Sequence, residues 1–480
     1  MRSKFFFYSI FIILLSLITQ KTMAQSIEQR KTDSVFKLVK EQFNAKNADQ
    51  LYALTGSRLK QDLIIETFRN ICNNQFFVLG EIKESSLISF ENNREAIYKI
   101  TFSTGMVLKL LMSLDKNDKL AVFLFQPYKK AEGVKTAEAQ SSNPLKTFDD
   151  HFVDTAVRAY IQKANTVGLS IGILKDGKIS YYEYGETVRG NKKLPTGSTL
   201  FEIGSITKTF TATLLAYYVN EGKLKLSDPI TKYLPDSVAA NKALQHITLQ
   251  ELSNHTSGLP SLPPDFDSHI TDTLNPYKDY TKRLLFAYLK TCKLDSQPGE
   301  KYDYSNMAVG LLGIILEHIT NKTYEQMVTE IITQPLQMSS TVQHITPLLK
   351  PRFVSVYNED GKLTEAWDFS ALAPCGSLKS TVNNLLVYAK ANMAGGSTKL
   401  AKAMELTHHV TFDKDVKVCL AWHISEVDGV EYYFHNGGTY GSSSFLAFNK
   451  EKNIAIVILS NCGESVDNIG VNILKRIQKK

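Results

Sequence analysis

Phe201-Glu202-Ile203-Gly204-Ser205-Ile206-Thr207-Lys208-Thr209-Phe210, running on to Gly222, decides how this chain is read. Phe210, Leu214, Leu215, Tyr218 and Val219 recur at helical spacing and Gly222 supplies a stop, so the stretch predicts a largely apolar, buried helix that Ser205 opens. At such an opening the first N–H groups lack helical partners and can face an anion, and the helix dipole favours negative charge there. Lys208 lies one turn further on, on the same face as Ser205. On an apolar helix its ammonium loses water, which lowers its pKa and supplies neutral amine able to take a proton from the serine hydroxyl. The bland alternative is a lysine that caps a surface turn.

The S-x-x-K spacing alone decides little, because Ser34/Lys37, Ser57/Lys60 and Ser113/Lys116 share it. Ser34 and Ser57 fall on polar helical stretches, and Ser113 enters a turn before Asp115. Gly168-Leu169-Ser170-Ile171-Gly172 fits the G-x-S-x-G nucleophile elbow, which needs a strand before it and a helix after it. Ser170 instead sits inside an apolar run that turns at Asp176-Gly177, so it reads as a strand serine whose glycines allow close packing. Two further signals favour Ser205. Tyr304-Ser305-Asn306 leads into an apolar helix from Met307 to Ile319, and in a Y-x-N triplet the phenol can relay a proton while the amide holds a substrate carbonyl. A second triplet, Tyr218-Val219-Asn220, ends the Ser205 helix and reads as structural. His435-Asn436-Gly437 is the only H-x-G of the chain, at a predicted strand edge, and Gly438 follows it. A backbone N–H there can meet an oxyanion, and glycines let a substrate approach closely.

The rest of the sequence divides around these motifs. Residues 1–24 carry Arg2 and Lys4 before an uncharged run from Phe5 to Ile18 and then small or polar residues, the pattern of a secretory signal peptide. The run is shorter than the ~20 apolar residues of a membrane span, so no stable span is expected after cleavage, the alternative being an uncleaved anchor, and the product is expected to be exported, periplasmic or extracellular. Residues 25–128 read as helices with Val35, Phe36, Val39, Phe43 and then Leu59, Leu63, Ile64, Phe68 on their apolar faces, followed by short strands at Ala96–Phe102, Val107–Met112 and Leu120–Phe125. That order predicts a small α+β domain, which resembles the cone-shaped domains related to nuclear transport factor 2 in element order and size. Residues 129–146 are polar and aperiodic and read as a linker. In residues 147–480, Val167–Leu174 and Lys178–Tyr184 flank Asp176-Gly177 as a hairpin, helices fill the middle, and strands return at Tyr432–His435, Ser443–Asn449 and Ile454–Leu459 before a helix from Ser465 to Ile477. One antiparallel sheet formed by both ends of the domain, with a helical subdomain between, is the expectation.

Together the motifs make residues 148–480 resemble the penicillin-recognising serine hydrolases, the branch holding class C β-lactamases, D,D-carboxypeptidases, D-aminopeptidases and related esterases. LSDPITKYLP (226–235), LQELSNHTSGL (249–259), QPGEKYDYSN (297–306), QPLQMSST (334–341) and APCGSLKST (373–381) extend the match. The resemblance implies an α+β, β-lactamase/transpeptidase-like fold. It makes Ser205 the acylated nucleophile, Lys208 its proton acceptor and Tyr304 the partner in proton transfer to the leaving group and from water. Asn306, His435 and Gly437 become substrate-binding positions, His435 by donating from its ring to a substrate carboxylate or to Tyr304, and the backbone N–H groups of Ser205 and Gly438 become the oxyanion hole. His255 reads as a turn packed beside the site. Three departures stand out: His435 where many relatives carry lysine, Cys375 where glycine is common, and Asn384 for an acidic residue, an exchange expected to touch only a helix cap.

Composition narrows the partners. The 480 residues are 43% hydrophobic and 21% charged, which excludes disordered and fibrous chains. Losing residues 1–24 removes Arg2, Lys4 and Lys21 and no acid, lowering the net charge from +7 to +4. Without a basic stripe interleaved with aromatics, nucleic acid is not an expected partner. The five cysteines form no C-x-x-C pair and the ten histidines no H-E-x-x-H, so neither a metal nor an organic cofactor is expected. The sequence therefore points to an exported hydrolase acting on a small molecule or peptide, with a D-amino-acid-containing peptide ahead of a small ester. The alternative is a binding protein that uses the fold to hold a muropeptide or protein without turnover. The small domain is the candidate for docking a partner that its residues do not identify.

Overall fold

The computed structural model describes residues 27–91, 94–128, 135 and 137–478. The segment read as a signal peptide lies outside the described residues. The chain forms two compact units, one through Lys130 and one from Ala131.

In the smaller unit a helix at Ile27–Asn44 buries Phe36, Val39 and Phe43, the spacing read from the sequence. The second expected helix is two short ones, Ser57–Asp62 and Ile65–Ile71, because Leu63 is extended (φ −141°, ψ 101°) and interrupts the run, and a further short helix, Ala48–Ala53, precedes them. Four antiparallel strands follow in spatial order: β1 (Ile82–Glu91), β2 (Glu95–Phe102), β3 (Val107–Leu114) and β4 (Leu120–Pro127). Every second residue of β2 is buried against the helices. β1 escaped the sequence reading for a physical reason. Bulges at Ile82/Glu84 and Leu87/Ser89 shift its register and break the period of two.

The larger unit is built on one eight-stranded antiparallel sheet. Its strands are β5 (Gly168–Lys175), β6 (Lys178–Gly185), β9 (Phe412–Asp413), β10 (Lys417–Val418), β11 (His423–Val427), β12 (Val430–Gly438), β13 (Ser443–Asn449) and β14 (Ile454–Ser460), while β7 (Phe201–Glu202) and β8 (Lys379–Ser380) pair separately. The spatial order is β6-β5-β14-β13-β12-β11-β10-β9, so both ends of the unit meet in one sheet. Asp176 (φ 51°) and Gly177 (φ 74°) make the β5–β6 turn, both in the left-handed region that a two-residue hairpin demands. β13 and β14 are buried along their whole length because both faces are covered. Ile456 and Ile458 face the terminal helices Phe148–Ile161 and Asp467–Ile477, whereas Val457 and Leu459 face the helical subdomain. Ser170 sits mid-strand in β5; a Cβ at Gly172 would lie 2.5 Å from Val382, so Gly172 serves helix-on-sheet packing, whereas one at Gly168 would strike the Glu186 backbone.

The stretch 129–146 departs from a free linker over its described second half. Gly185 N–H donates to Gln140 O (2.9 Å), Ser142 N–H to Glu183 O (3.0 Å), and Asn143 Nδ2 to the Tyr184 hydroxyl (2.8 Å). These attachments are polar and backbone-borne, which is why no apolar period announced them.

Candidate active site

The strand β7 enters the site and Gly204, at φ +47°, turns the chain into a 3₁₀ turn, Gly204–Ile206, and then the helix Thr207–Asn220. No side chain caps this start; the Ile206 N–H instead bonds back to the Ile203 carbonyl oxygen (3.2 Å). β12 closes on the turn. A Cβ on Gly204 would lie 2.7 Å from Gly438 N, and one on Gly437 would strike the Ile203 carbonyl and lie 2.8 Å from Ser205 N. Only glycines permit this approach, which sets the backbone nitrogens of Ser205 and Gly438 on one small region. Ser444 Oγ, donating to Ile203 O (2.9 Å), fastens β13 to the same turn.

Lys208 is fully buried. Its Nζ is 2.9 Å from Ser205 Oγ, 2.8 Å from Asn306 Oδ1 and 2.7 Å from the Cys375 carbonyl oxygen. Desolvation lowers its pKa to about 8, with the nearby Cys375 thiol acting weakly the other way. Two of the three neighbours are carbonyl oxygens that can only accept. A neutral amine has two N–H donors for them and one lone pair left, which the serine hydroxyl meets.

Tyr304 and Asn306 flank Ser305, whose Oγ caps the helix Asn306–Thr320 by accepting from Ala308 N–H (3.0 Å). Burial holds the Tyr304 phenol above its usual pKa, partly offset by its hydrogen bond with Ser205. The Lys208 Nζ stands 4.8 Å from the centre of its ring. Asn306 spends Oδ1 on Lys208 and Nδ2 on the Tyr277 hydroxyl (3.2 Å), which fixes its amide orientation.

His435 is buried on β12 and kept neutral chiefly by desolvation, with His423 and Lys208 adding to the effect. Its Nδ1 lies 2.6 Å from the Asn436 carbonyl oxygen, so Nδ1 carries the hydrogen and Nε2, which has no hydrogen-bond partner among the described residues, presents a lone pair. The donor role drawn from the sequence therefore requires a second proton that burial opposes. His255, in a left-handed turn (φ 63°), accepts the Ser305 N–H on Nδ1 (3.1 Å) and lies 4.3 Å from the Tyr304 ring. It packs beside the site, as expected of that turn.

The structure thus brings Ser205, Lys208, Tyr304 and Asn306 into one contact network and sets His435, Gly437 and Gly438 along its edge. Sequence reading missed four neighbours: Tyr277, His423, Glu202 and Lys379. Glu202 and Lys379, paired across β7 and β8, are buried, and each is a lone charge in an apolar stretch, a signal that was available. Glu202 accepts from Trp367 N–H (2.7 Å), Thr439 Oγ1 (2.9 Å) and Ser442 Oγ (3.2 Å). Asn384 does more than the cap exchange expected of it, accepting on Oδ1 from Ser340 N–H (2.9 Å) and Thr341 Oγ1 (3.3 Å).

A sheet closed by both ends of the unit, with a serine at a helix start bonded to a buried lysine, places the protein among the serine hydrolases of β-lactamase/transpeptidase fold. Comparison with known proteins agrees. The family described as Beta-lactamase matches residues 153–478. A β-lactamase from Pseudomonas fluorescens is 30% identical over 258 residues, covering 53% of this chain and 68% of that one. Among solved structures, a class C β-lactamase is similar at 25% identity and a TM-score of 0.61, covering 68% of this chain and 95% of that one. A D-alanine carboxypeptidase from Burkholderia cenocepacia, also 25% identical with a TM-score of 0.61, covers 69% and 98%. The chain belongs to the β-lactamase family and is a serine hydrolase. Among the described residues no helix is long and apolar enough to cross a membrane.

Proposed function

We propose that this protein is exported and cleaves an amide or ester through an acyl-enzyme on Ser205, with D-amino-acid-containing peptides preferred over simple esters and β-lactams acting as inhibitors or slow substrates. The observation that carries the reading is the Lys208 amine, buried, lowered to about 8 and 2.9 Å from the serine hydroxyl. Neutral Lys208 takes the hydroxyl proton as Oγ attacks the carbonyl carbon. The oxyanion gathers at the N–H groups of Ser205 and Gly438, where fixed donors cost no reorganisation. Tyr304, protonated at neutral pH, gives its proton to the leaving nitrogen or oxygen and recovers one from the Lys208 ammonium. Water then repeats the sequence in reverse, losing a proton to the same pair, and Ser205 Oγ regains its hydrogen. Asn306 holds the substrate carbonyl, and Gly437 leaves room for its backbone.

A neutral His435 accepts rather than donates, which suits a leaving half that offers an N–H. The name of the similar D-alanine carboxypeptidase supports a D-alanyl peptide as the first substrate to try. Steady-state kinetics on a D-alanyl peptide with free and with amidated C-terminus, a p-nitrophenyl ester and a chromogenic cephalosporin test the proposal. Peptide turnover, faster for the amidated form, is expected, and turnover of the ester alone would sink the peptide assignment. Export predicts that protein recovered from the periplasm or medium has lost the mass of residues 1–24.

A further inference from the structure

Glu202 joins two chain segments that carry aromatic rings to the rim of the site. Its Oε1 accepts the backbone N–H of Trp367 (2.7 Å), and its Oε2 accepts the hydroxyl of Thr439 (2.9 Å), the residue before Tyr440. Since Glu202 stands three residues before Ser205, both segments are held in register with the nucleophile. Trp367 also donates from its ring Nε1 to Leu274 O (3.0 Å), which ties it to the stretch bearing Tyr277. The rings meet. Trp367 lies 5.0 Å from Tyr440 at 66° and 5.1 Å from Tyr277 at 39°, centroid to centroid. Tyr277 is 6% exposed and Tyr440 47%, so the wall is anchored at one end and open to a ligand at the other. Edge-to-face and tilted rings at these separations are the arrangement that a further aromatic ring extends favourably.

The wall's place relative to the chemistry follows from Asn306 and Gly438. Asn306 turns its Nδ2 to Tyr277 and its Oδ1 to Lys208, and Gly438 lies two residues before Tyr440. In the mechanism above Gly438 N–H meets the oxyanion and Asn306 holds a substrate carbonyl beside Tyr277, so the half of the substrate that stays on the serine runs toward the rings. Tyr304, which serves the leaving half, is neighboured by His255 and His435 instead. We propose that Tyr277, Trp367 and Tyr440 form a subsite for an aromatic group on the acyl half of the substrate. This rests on the Ser205 acyl-enzyme reading above and narrows its substrate class.

The test compares p-nitrophenyl phenylacetate with p-nitrophenyl acetate on the full chain, each rate divided by the ester's spontaneous hydrolysis. The leaving group is the same in both, so the ratio of kcat/KM reports the acyl half alone. The wild-type ratio is expected to favour phenylacetate by about tenfold, and Tyr440→Ala and Trp367→Ala to reduce it about fivefold, mostly through KM, with Tyr440→Phe retaining it. Tyr440 is half exposed, so its variants test the subsite even where Trp367→Ala fails to fold. A wild-type ratio near one, or an unchanged ratio in Tyr440→Ala, would overturn the subsite and leave the hydrolase reading standing. Hydrolysis of both esters no faster than by Ser205→Ala would overturn the subsite, and the acyl-enzyme reading falls with it if the D-alanyl peptide is left uncut as well.

Discussion

Lys208 is the residue on which the chemistry turns, and its environment gives a signed prediction. Its pKa falls from 10.5 to about 8 because burial penalises the ammonium. The active form is the neutral amine, so kcat/KM should rise with pH along an acid limb of apparent pKa near 8 and level off above it. Lys208→Arg, which cannot lose its proton, should cost about 10²–10⁴ in kcat with any substrate. A profile flat from pH 6 to 9 would contradict the assignment. The same shift acts on stability. Between pH 8 and 10.5 the unfolded chain binds this proton more than the folded one, so the burial penalty at Lys208 fades as pH rises through that window. Ser205, Lys208, Tyr304, Asn306 and His435 were legible because each sits in a short pattern beside a periodic element. Tyr277 was not, since it belongs to an irregular stretch where nothing in the local spacing says that its hydroxyl faces Asn306. The tautomer of His435 was equally out of reach, because it depends on a carbonyl one residue away in space and chain.

At the level of elements, the site depends on how closely β12 approaches the turn at Gly204. Gly437→Ala would push a methyl against the Ile203 carbonyl and the Ser205 nitrogen. We expect it to cost about 1–3 kcal/mol of stability by overpacking and, by displacing the nucleophile, about 10² in kcat. Thermal unfolding alongside kinetics measures both, and a variant with wild-type kcat would show that the turn tolerates movement. β5, β6, β12, β13 and β14 of this sheet could be read from apolar runs and turn chemistry, as at Asp176-Gly177, whereas β9 and β10, two residues each, and β11 could not. What could not be read was β1, whose bulges hide its period, and the breaking of the expected second helix at Leu63, where one extended residue outweighs the apolar spacing.

On the scale of the molecule, every residue placed in the site belongs to the larger unit, so the smaller one should be dispensable for chemistry on small substrates. Beginning the chain at Ala131 should leave kcat/KM on a p-nitrophenyl ester within about twofold. Beginning it at Thr147 should lower Tm by several degrees, because the bonds of Gln140, Ser142 and Asn143 to Glu183, Tyr184 and Gly185 are lost at about 1 kcal/mol each. Equal Tm for the two truncations would show that those bonds add nothing. The sequence shows residues 129–146 as polar and aperiodic, but polarity alone could not separate a tether from a segment bonded along a sheet edge. The central claim is that Ser205 carries the acyl group, and intact-mass spectrometry of the protein after exposure to a fluorescent penicillin or a fluorophosphonate tests it most directly. One adduct on the wild-type chain, absent from Ser205→Ala, is the predicted result; no adduct with either probe, or an adduct that persists in Ser205→Ala, would contradict it.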